Sequence, residues 1–432
     1  MTPAAFIEKK SRYETTWRWW VLGTLFLATF LNYFDRQTLG TAIEPISKEF
    51  GLNNIQRGNL LAAFIFAYAF THLLVGFVVD RIRNIRVFFP WMVLGWSAST
   101  ILVGFARTYN ALLWLRYLLG VWEAVNFPIC LMVISRIFPA KERSLASGIF
   151  ASGAFLATLA APPVVIFLSN RFNWRYSFVV AGCLGLFWVV PWLCIFRRPE
   201  DRSENWGKYS LVRVAATESG KRNPSGIIGS LASIVKIPSF WGVALIGLGI
   251  IPSLYFATQW FPSFFTQSLG HPYNQALARK LSVIYLMQDV GLWVGGMVVL
   301  WLSQKGFSIL RARKTVITVA YTVMVVSILA VTRIHSIHAC VILLSLYVFG
   351  IGAFLGNQHA FKQDVDKKQV ATVAALVGFI ETGFTAFVIK GIGIITNQTA
   401  DFTPVFFLLA GLATFAIFIV YFFMKPKWLD IQ

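Results

Sequence analysis

Long apolar runs separated by short polar or Pro/Gly breaks set the organisation of this chain. A helix needs about 20 mostly apolar residues to cross a bilayer core. Runs of that kind recur at 17–41, 57–79, 87–106, 110–136, 144–169 and 176–196, and a second series follows at 239–266, 279–303, 314–333, 337–361, 369–396 and 402–424. The pattern predicts an all-α polytopic membrane protein with twelve transmembrane helices in two six-helix halves, 1–196 and 239–432. The stretch 197–238 between them carries Arg197, Arg198, Arg202, Lys208, Arg213, Lys221 and Arg222 and is expected to be a cytoplasmic linker. The first apolar run is too long for a cleaved signal peptide and lacks a small-residue cleavage site, so it is expected to stay as the first span.

Composition supports the membrane reading: 57% of residues are hydrophobic and 13% charged, against about 25% charged in ordinary soluble domains. The basic residues fix an orientation, because Lys and Arg collect in cytoplasmic loops. Lys9, Lys10, Arg12 and Arg18 precede the first span, Arg81, Arg83 and Arg86 follow the second, Lys141 and Arg143 the fourth, and Lys305, Arg311, Arg313 and Lys314 the eighth. Both termini are therefore expected in the cytoplasm. The net charge of +20 is a consequence of topology: nucleic-acid binding would gather the basic residues on one soluble face, and here they are dispersed among membrane loops. All four cysteines fall within apolar spans, which points to packing rather than disulfides. The five histidines show no metal-site spacing, and no nucleophile or phosphate loop stands at a credible spacing for an enzyme. Neither a metal nor a cofactor is expected.

The informative exceptions are charges inside the spans, which cost roughly 2.5–3.5 kcal/mol each at a helix centre. The first span carries Tyr33, Asp35 and Arg36; the fourth carries Arg116, Glu123 and Asn126. The first runs outward and the fourth inward, so Asp35, Arg36 and Arg116 are expected at comparable depth, with Glu123 nearer the midplane. Seven residues rise about 10.5 Å along a helix and return to nearly the same face, which puts Arg116 and Glu123 on one side with a stretched gap between them. A first-helix residue, water or a ligand carboxylate would complete such a pair. The alternative is a static network that locks two helices together. The second half adds Asp289, Asn357, Gln358 and Glu381 within predicted spans: Asp289 and Glu381 are candidate second coupling or cavity groups, and the two amides, which both donate and accept, suit sugar hydroxyls. Tyr255 and Trp260 in the seventh span are candidate stacking residues, although aromatics in spans serve packing by default.

Taken together, Gly76 to Arg81 after the second span, Tyr33 to Arg36, Arg116 to Pro128, Phe138 to Arg143 and Ala161 to Pro163 resemble the major facilitator superfamily, and within it the anion:cation symporter branch that includes hexuronate, D-galactonate and sialin-type transporters. The likeness covers nearly the whole chain. It implies symport of an organic anion, a sugar acid such as a hexuronate or aldonate, with protons by alternating access, in a bacterial inner membrane and as a monomer. It also implies roles: Asp35 and Glu123 as proton-coupling acids, Tyr33, Arg36 and Arg116 as substrate contacts or counter-charges to those acids, and Asp80 and Arg81 as a cytoplasmic gate; Asn126, Tyr255, Trp260, Asn357 and Gln358 are expected around the substrate on their own chemistry and placement. Three positions depart from the family pattern: Arg83 replaces a usual Gly, Leu300 stands where an acid is common, and Ala154 occupies the place of a Gln found in galactonate transporters. An exporter of drugs or metabolites working by proton antiport is the alternative on the same fold; it would favour an apolar cavity and have no use for Arg36 and Arg116 as ligands of an acid.

Overall fold

The computed structural model describes residues 3–79, 84–196, 233–334, 336–366 and 370–425, and every regular element among them is helical. The first group comprises α1 (Pro3–Phe50), α2 (Asn54–Val79), α3 (Ile85–Phe105), α4 (Tyr109–Glu123), α5 (Asn126–Ile137), α6 (Ala140–Arg171) and α7 (Trp174–Ile195). The second comprises α8 (Pro238–Ser263), continued by a π-helical turn at Phe264–Ser268, then α9 (Gln275–Gln304), α10 (Ile309–Val331), α11 (Ile337–Asp364), α12 (Val370–Thr399) and α13 (Thr403–Phe423). Asp80 and Arg81, the expected gate, and most of the expected linker lie outside the described residues.

Counting α4 with α5, and α8 with its π-helical turn, eleven stretches of the described residues are long and apolar enough to cross a membrane. α1 is the twelfth by position. Its apolar run is interrupted by Asn32, Asp35 and Arg36, and neighbouring helices cover these residues: Asn32 is 0% and Asp35 2% exposed. Polar residues thus face the bundle interior while Trp114, Phe187 and Phe418 point outward, the arrangement that a lipid surround requires.

The fourth span, expected as one helix over 110–136, is two. α4 ends at Glu123, and α5 starts at Asn126 after a turn at Ala124 and Val125. Pro128 has no N–H to offer the carbonyl four residues back, and its ring crowds that carbonyl. The carbonyl so orphaned belongs to Ala124, and the His72 ring of α2 lies near the Ala124 backbone. The break therefore places Glu123 at a helix end, next to a neighbouring helix that helps hold it.

The two groups of helices meet where α2 packs on α12, α6 on α9 and α1 on α8. Among pairs with both residues described, the cross-group hydrogen bonds lie in the part of the bundle away from the chain termini. Arg57 Nη1 donates to Glu44 Oε1 at 2.7 Å, and Gln267 Nε2 reaches the same oxygen at 3.2 Å from the other group. The Tyr273 hydroxyl donates to the Thr41 carbonyl at 3.0 Å, and Asn170 donates to the Tyr273 carbonyl at 3.1 Å. Gln275 to Pro163 at 3.2 Å and Ser282 to Leu159 at 2.9 Å continue the seam along α6 and α9. On the α2–α12 side the backbones touch: a Cβ on Gly58 would lie 3.1 Å from the Gly393 Cα. This end of the bundle is sealed.

Candidate functional site

Helix α2 presents Phe64, Tyr68 and His72 at successive i, i+4 positions, the spacing that puts side chains on one face. Their rings stack, with centroids 5.7 Å apart for Phe64 and Tyr68 and 5.4 Å for Tyr68 and His72. Arg36 of α1 lies across this column. Its guanidinium carbon sits 4.4 Å from the Tyr68 centroid, 4.6 Å from Tyr33 and 5.2 Å from Phe64. Desolvated cation–π contacts contribute about 2 kcal/mol or more, so a charge that lipid would reject is held by aromatic faces.

Arg36 Nε then donates to Glu123 Oε2 at 2.7 Å. The Glu123 side chain is 0% exposed and that of Arg36 is 13% exposed, and the guanidinium Nη groups take no hydrogen bond from the described residues and are not among the buried unpartnered atoms. The pair is therefore one-sided. The acid is sealed behind the cation, and the fork of the cation is left free for a carboxylate, the geometry guanidinium groups favour.

The partner of Glu123 is thus Arg36 and not its own helix neighbour Arg116. Arg116 is 1% exposed, its guanidinium carbon lies 5.1 Å from the centroid of the Phe64 ring, and its Nε and Nη1 are buried without a hydrogen-bond partner. It balances Asp35 and Glu123 electrostatically from behind. In this conformation Arg116, expected at the substrate, is buried, and both its guanidinium and that of Arg36 lie near the Phe64 ring. Asp35 is buried beside Thr100 of α3, with Oδ1 unpartnered. The four intramembrane charges of α1 and α4 do form one cluster, and Phe64 lies near both of its arginines.

Two further residues expected at the site are engaged in packing in this conformation. Asn126 is fully buried, where its Nδ2 donates to Thr29 Oγ1 at 3.3 Å and its Oδ1 accepts from Cys130 Sγ at 3.6 Å; it ties α5 to α1. Trp260 is 0% exposed and packs edge-on to Phe402 with centroids 6.1 Å apart. Five residues turn a helix by about 500°, nearly to the opposite side, so Trp260 cannot share the face of Tyr255. Tyr255 does reach the cluster, lying within electrostatic range of Arg36, Tyr68, Tyr33 and Glu123, and brings α8 of the second group to it.

The remaining second-half candidates divide. Asp289 is half-buried on α9 and joins no ion pair among the described residues. Asn357 donates to the Ala353 carbonyl of its own helix at 2.9 Å. Gln358 and Glu381 meet: Gln358 Nε2 donates to Glu381 Oε1 at 2.8 Å, and Lys362 Nζ lies 3.0 Å from Oε2 and 2.9 Å from Oε1. Sequence reasoning missed Phe64, Tyr68, His72 and Lys362. The i, i+4, i+8 aromatic column was legible, and Lys362 was legible as a cation one turn from Gln358; both lacked a visible partner until the helices were packed.

The family model described as Major Facilitator Superfamily matches residues 25–389. Curated relatives include a D-galactonate transporter of Escherichia coli O6:H1 (strain CFT073), 28% identical over 69% of this chain and 70% of that protein. A probable galactarate/D-glucarate transporter of Escherichia coli strain K12 is 30% identical over 72% of this chain and 71% of that protein. The hexuronate transporter of the same strain is 25% identical over 91% and 90%. Among solved structures, a bacterial homologue of the human lysosomal transporter Spinster in an inward-facing, unoccupied conformation superposes with a TM-score of 0.70 at 19% identity, covering 94% of this chain and 95% of that one. A D-xylose–proton symporter gives 0.71 at 14% identity over 94% and 98%.

Proposed function

The chain belongs to the Major Facilitator Superfamily, and on that premise we propose that it takes up a sugar acid, a hexuronate, aldonate or aldarate, together with protons across a bacterial inner membrane. It is a multi-pass membrane transporter, and its curated relatives are named transporters of galactonate, galactarate/glucarate and hexuronate. The observation that carries the reading is the one-sided ion pair: Arg36 holds buried Glu123 through Nε and keeps its fork free. A substrate carboxylate on the fork competes with Glu123 for the same cation. A proton on Glu123 removes that competition, so anion and proton bind together, which is the thermodynamic content of symport. In alternating access the two halves rock about such a site; the sealed end is away from the termini, which with both termini in the cytoplasm is the outward side.

The test is counterflow in proteoliposomes with uronates, aldonates, aldarates and hydrophobic cations, under imposed pH gradients. Saturable exchange of a sugar acid supports the reading, and transport of hydrophobic cations alone would replace it with the antiport exporter. A second expectation concerns Arg36 itself. Hydrogen bonds to charged groups are worth about 1.5–3 kcal/mol, so Arg36→Ala should weaken binding of the acid by about ten- to hundredfold and barely affect its uncharged analogue. Arg36→Lys should recover only part of the loss, because the point charge lacks the fork. Equal losses for acid and neutral analogue, measured by ligand-dependent melting of the purified protein, would remove the carboxylate clamp.

A further inference from the structure

The second half carries an ion pair that the Arg36 site does not use. Lys362 of α11 and Glu381 of α12 are 9% and 3% exposed, and Gln358, one turn before Lys362, is 0% exposed. Glu381 accepts from both, and α8 makes room for its carboxyl by having Gly247 there: a Cβ at that position would fall 2.5 Å from Glu381 Oε1 and still closer to the carbons. Lys362 is the charge facing Glu381, His359 lies near Lys362 on the same helix, and α8 offers only the glycine. Three helices thus build one compact polar site inside an apolar half.

The site has a form for each protonation state of Glu381. With the carboxylate charged, Gln358 Nε2 and Lys362 Nζ both donate to it, and Gln358 Oε1 is left buried without a partner. A buried acceptor with nothing to accept is unfavourable. When Glu381 takes a proton from the aqueous phase, its O–H supplies the missing donor to Gln358 Oε1, and Lys362 loses its counter-charge. The protonated state satisfies the amide and frees an ammonium.

That ammonium is well placed against the Arg36 cluster. Along the α2–α12 seam Phe66 meets Phe387 at 4.8 Å and Phe70 meets Phe379 at 5.3 Å. Tyr68 lies between the first members of these pairs in the chain and Glu381 between the second, so the two sites flank one interface. Helix α8 touches both, through Tyr255 and Gly247, eight residues or about 12 Å of helix rise apart. A separation of about that size is within the combined reach of two long cationic side chains and an extended hydroxylated chain with an acid at each end.

We propose that Lys362, released when Glu381 is protonated, binds the second carboxylate of a dicarboxylic sugar acid whose first carboxylate is held by Arg36. This rests on the sugar-acid reading of the Arg36 site and narrows it to aldarates, with a second proton taken up in the C-terminal half.

Binding of galactarate and of galactonate to the purified full-length protein, followed by melting temperature at mildly acidic pH, tests it. The wild type is expected to bind galactarate at least about tenfold tighter than galactonate, with the ratio shrinking as pH rises. Glu381→Gln, which holds the acid in its neutral shape, should keep the ratio and lose its pH dependence. In Lys362→Met/Glu381→Gln, where both charges go together and no buried ion is stranded, the ratio should fall to about one. The swapped pair Lys362→Glu/Glu381→Lys moves the cation to α12 and serves if the double variant does not fold; its ratio should collapse as well. A wild type that binds galactonate but shows no preference for galactarate would overturn the second-carboxylate site and leave the sugar-acid reading standing, and so would a double or swapped variant that keeps the wild-type ratio. Failure of the wild type to bind either acid would overturn both.

Discussion

Glu123→Gln is expected to reduce uptake driven by an inward proton gradient to the level of protein-free liposomes, while counterflow of internal and external substrate persists. The amide has the shape of the protonated acid and can still accept from Arg36 Nε through its oxygen, as Glu123 does at 2.7 Å. It cannot release or regain a proton, so the fork of Arg36 stays permanently available and the link between proton and anion is cut. Leaving Arg36 without a charged partner is tolerable because Tyr33, Phe64 and Tyr68 face it, whereas breaking an ordinary buried pair costs about 3–5 kcal/mol. Parallel measurements of gradient-driven uptake and counterflow on the same proteoliposomes decide the matter. If both activities disappear while the melting temperature falls steeply, Glu123 is a structural tie between α1 and α4 and the coupling role is lost.

Gly393→Val should stop transport by a different route, through the sealed end of the bundle. A side chain on Gly393 would overlap the carbonyl oxygen of Asn54, and Gly58 offers no slack because its own Cβ position lies against the α12 backbone. Overpacking of this kind costs about 1–3 kcal/mol. The conformation in which α2 and α12 separate is spared that cost, so the balance between conformations moves by roughly one to two powers of ten. Spin labels introduced by Asn53→Cys and Gln398→Cys, at the sealed end of the two helices, should report a shift of the distance distribution to longer values in the valine variant, together with loss of counterflow and net uptake alike. An unchanged distribution with normal transport would show that the glycine contact is not part of closure.

The two variants separate what Glu123→Gln leaves intact from what Gly393→Val removes. One uncouples a site whose conformational cycle still runs, and the other halts the cycle around an unaltered site. The Arg36→Ala loss belongs with the first, since it acts on ligand affinity and leaves the seam untouched.

Much of the architecture was legible in the amino-acid order. Apolar runs of membrane-spanning length, punctuated by basic loops, specify twelve spans in two sixes because a bilayer admits only helices whose backbone groups are satisfied internally. The sequence also marked Arg36, Arg116, Glu123 and Glu381 as charges too costly to keep in lipid without a use. It carried the reason for the break in the fourth span in Pro128, and in the five-residue offset from Tyr255 the reason Trp260 does not share that residue's face.

The pairing of those charges was decided by tertiary structure alone. Helical periodicity tells which residues share a face; it says nothing of the rotation and axial register of one helix against another, and a shift of one residue turns a face by about 100°. Those two quantities come from packing, here from the backbone contact at Gly58 and Gly393, the room left by Gly247, and the aromatic column of α2. They hand Glu123 to Arg36 instead of Arg116, set Phe64 near both arginines, and bring Lys362 to Glu381 across two helices that no spacing rule connects.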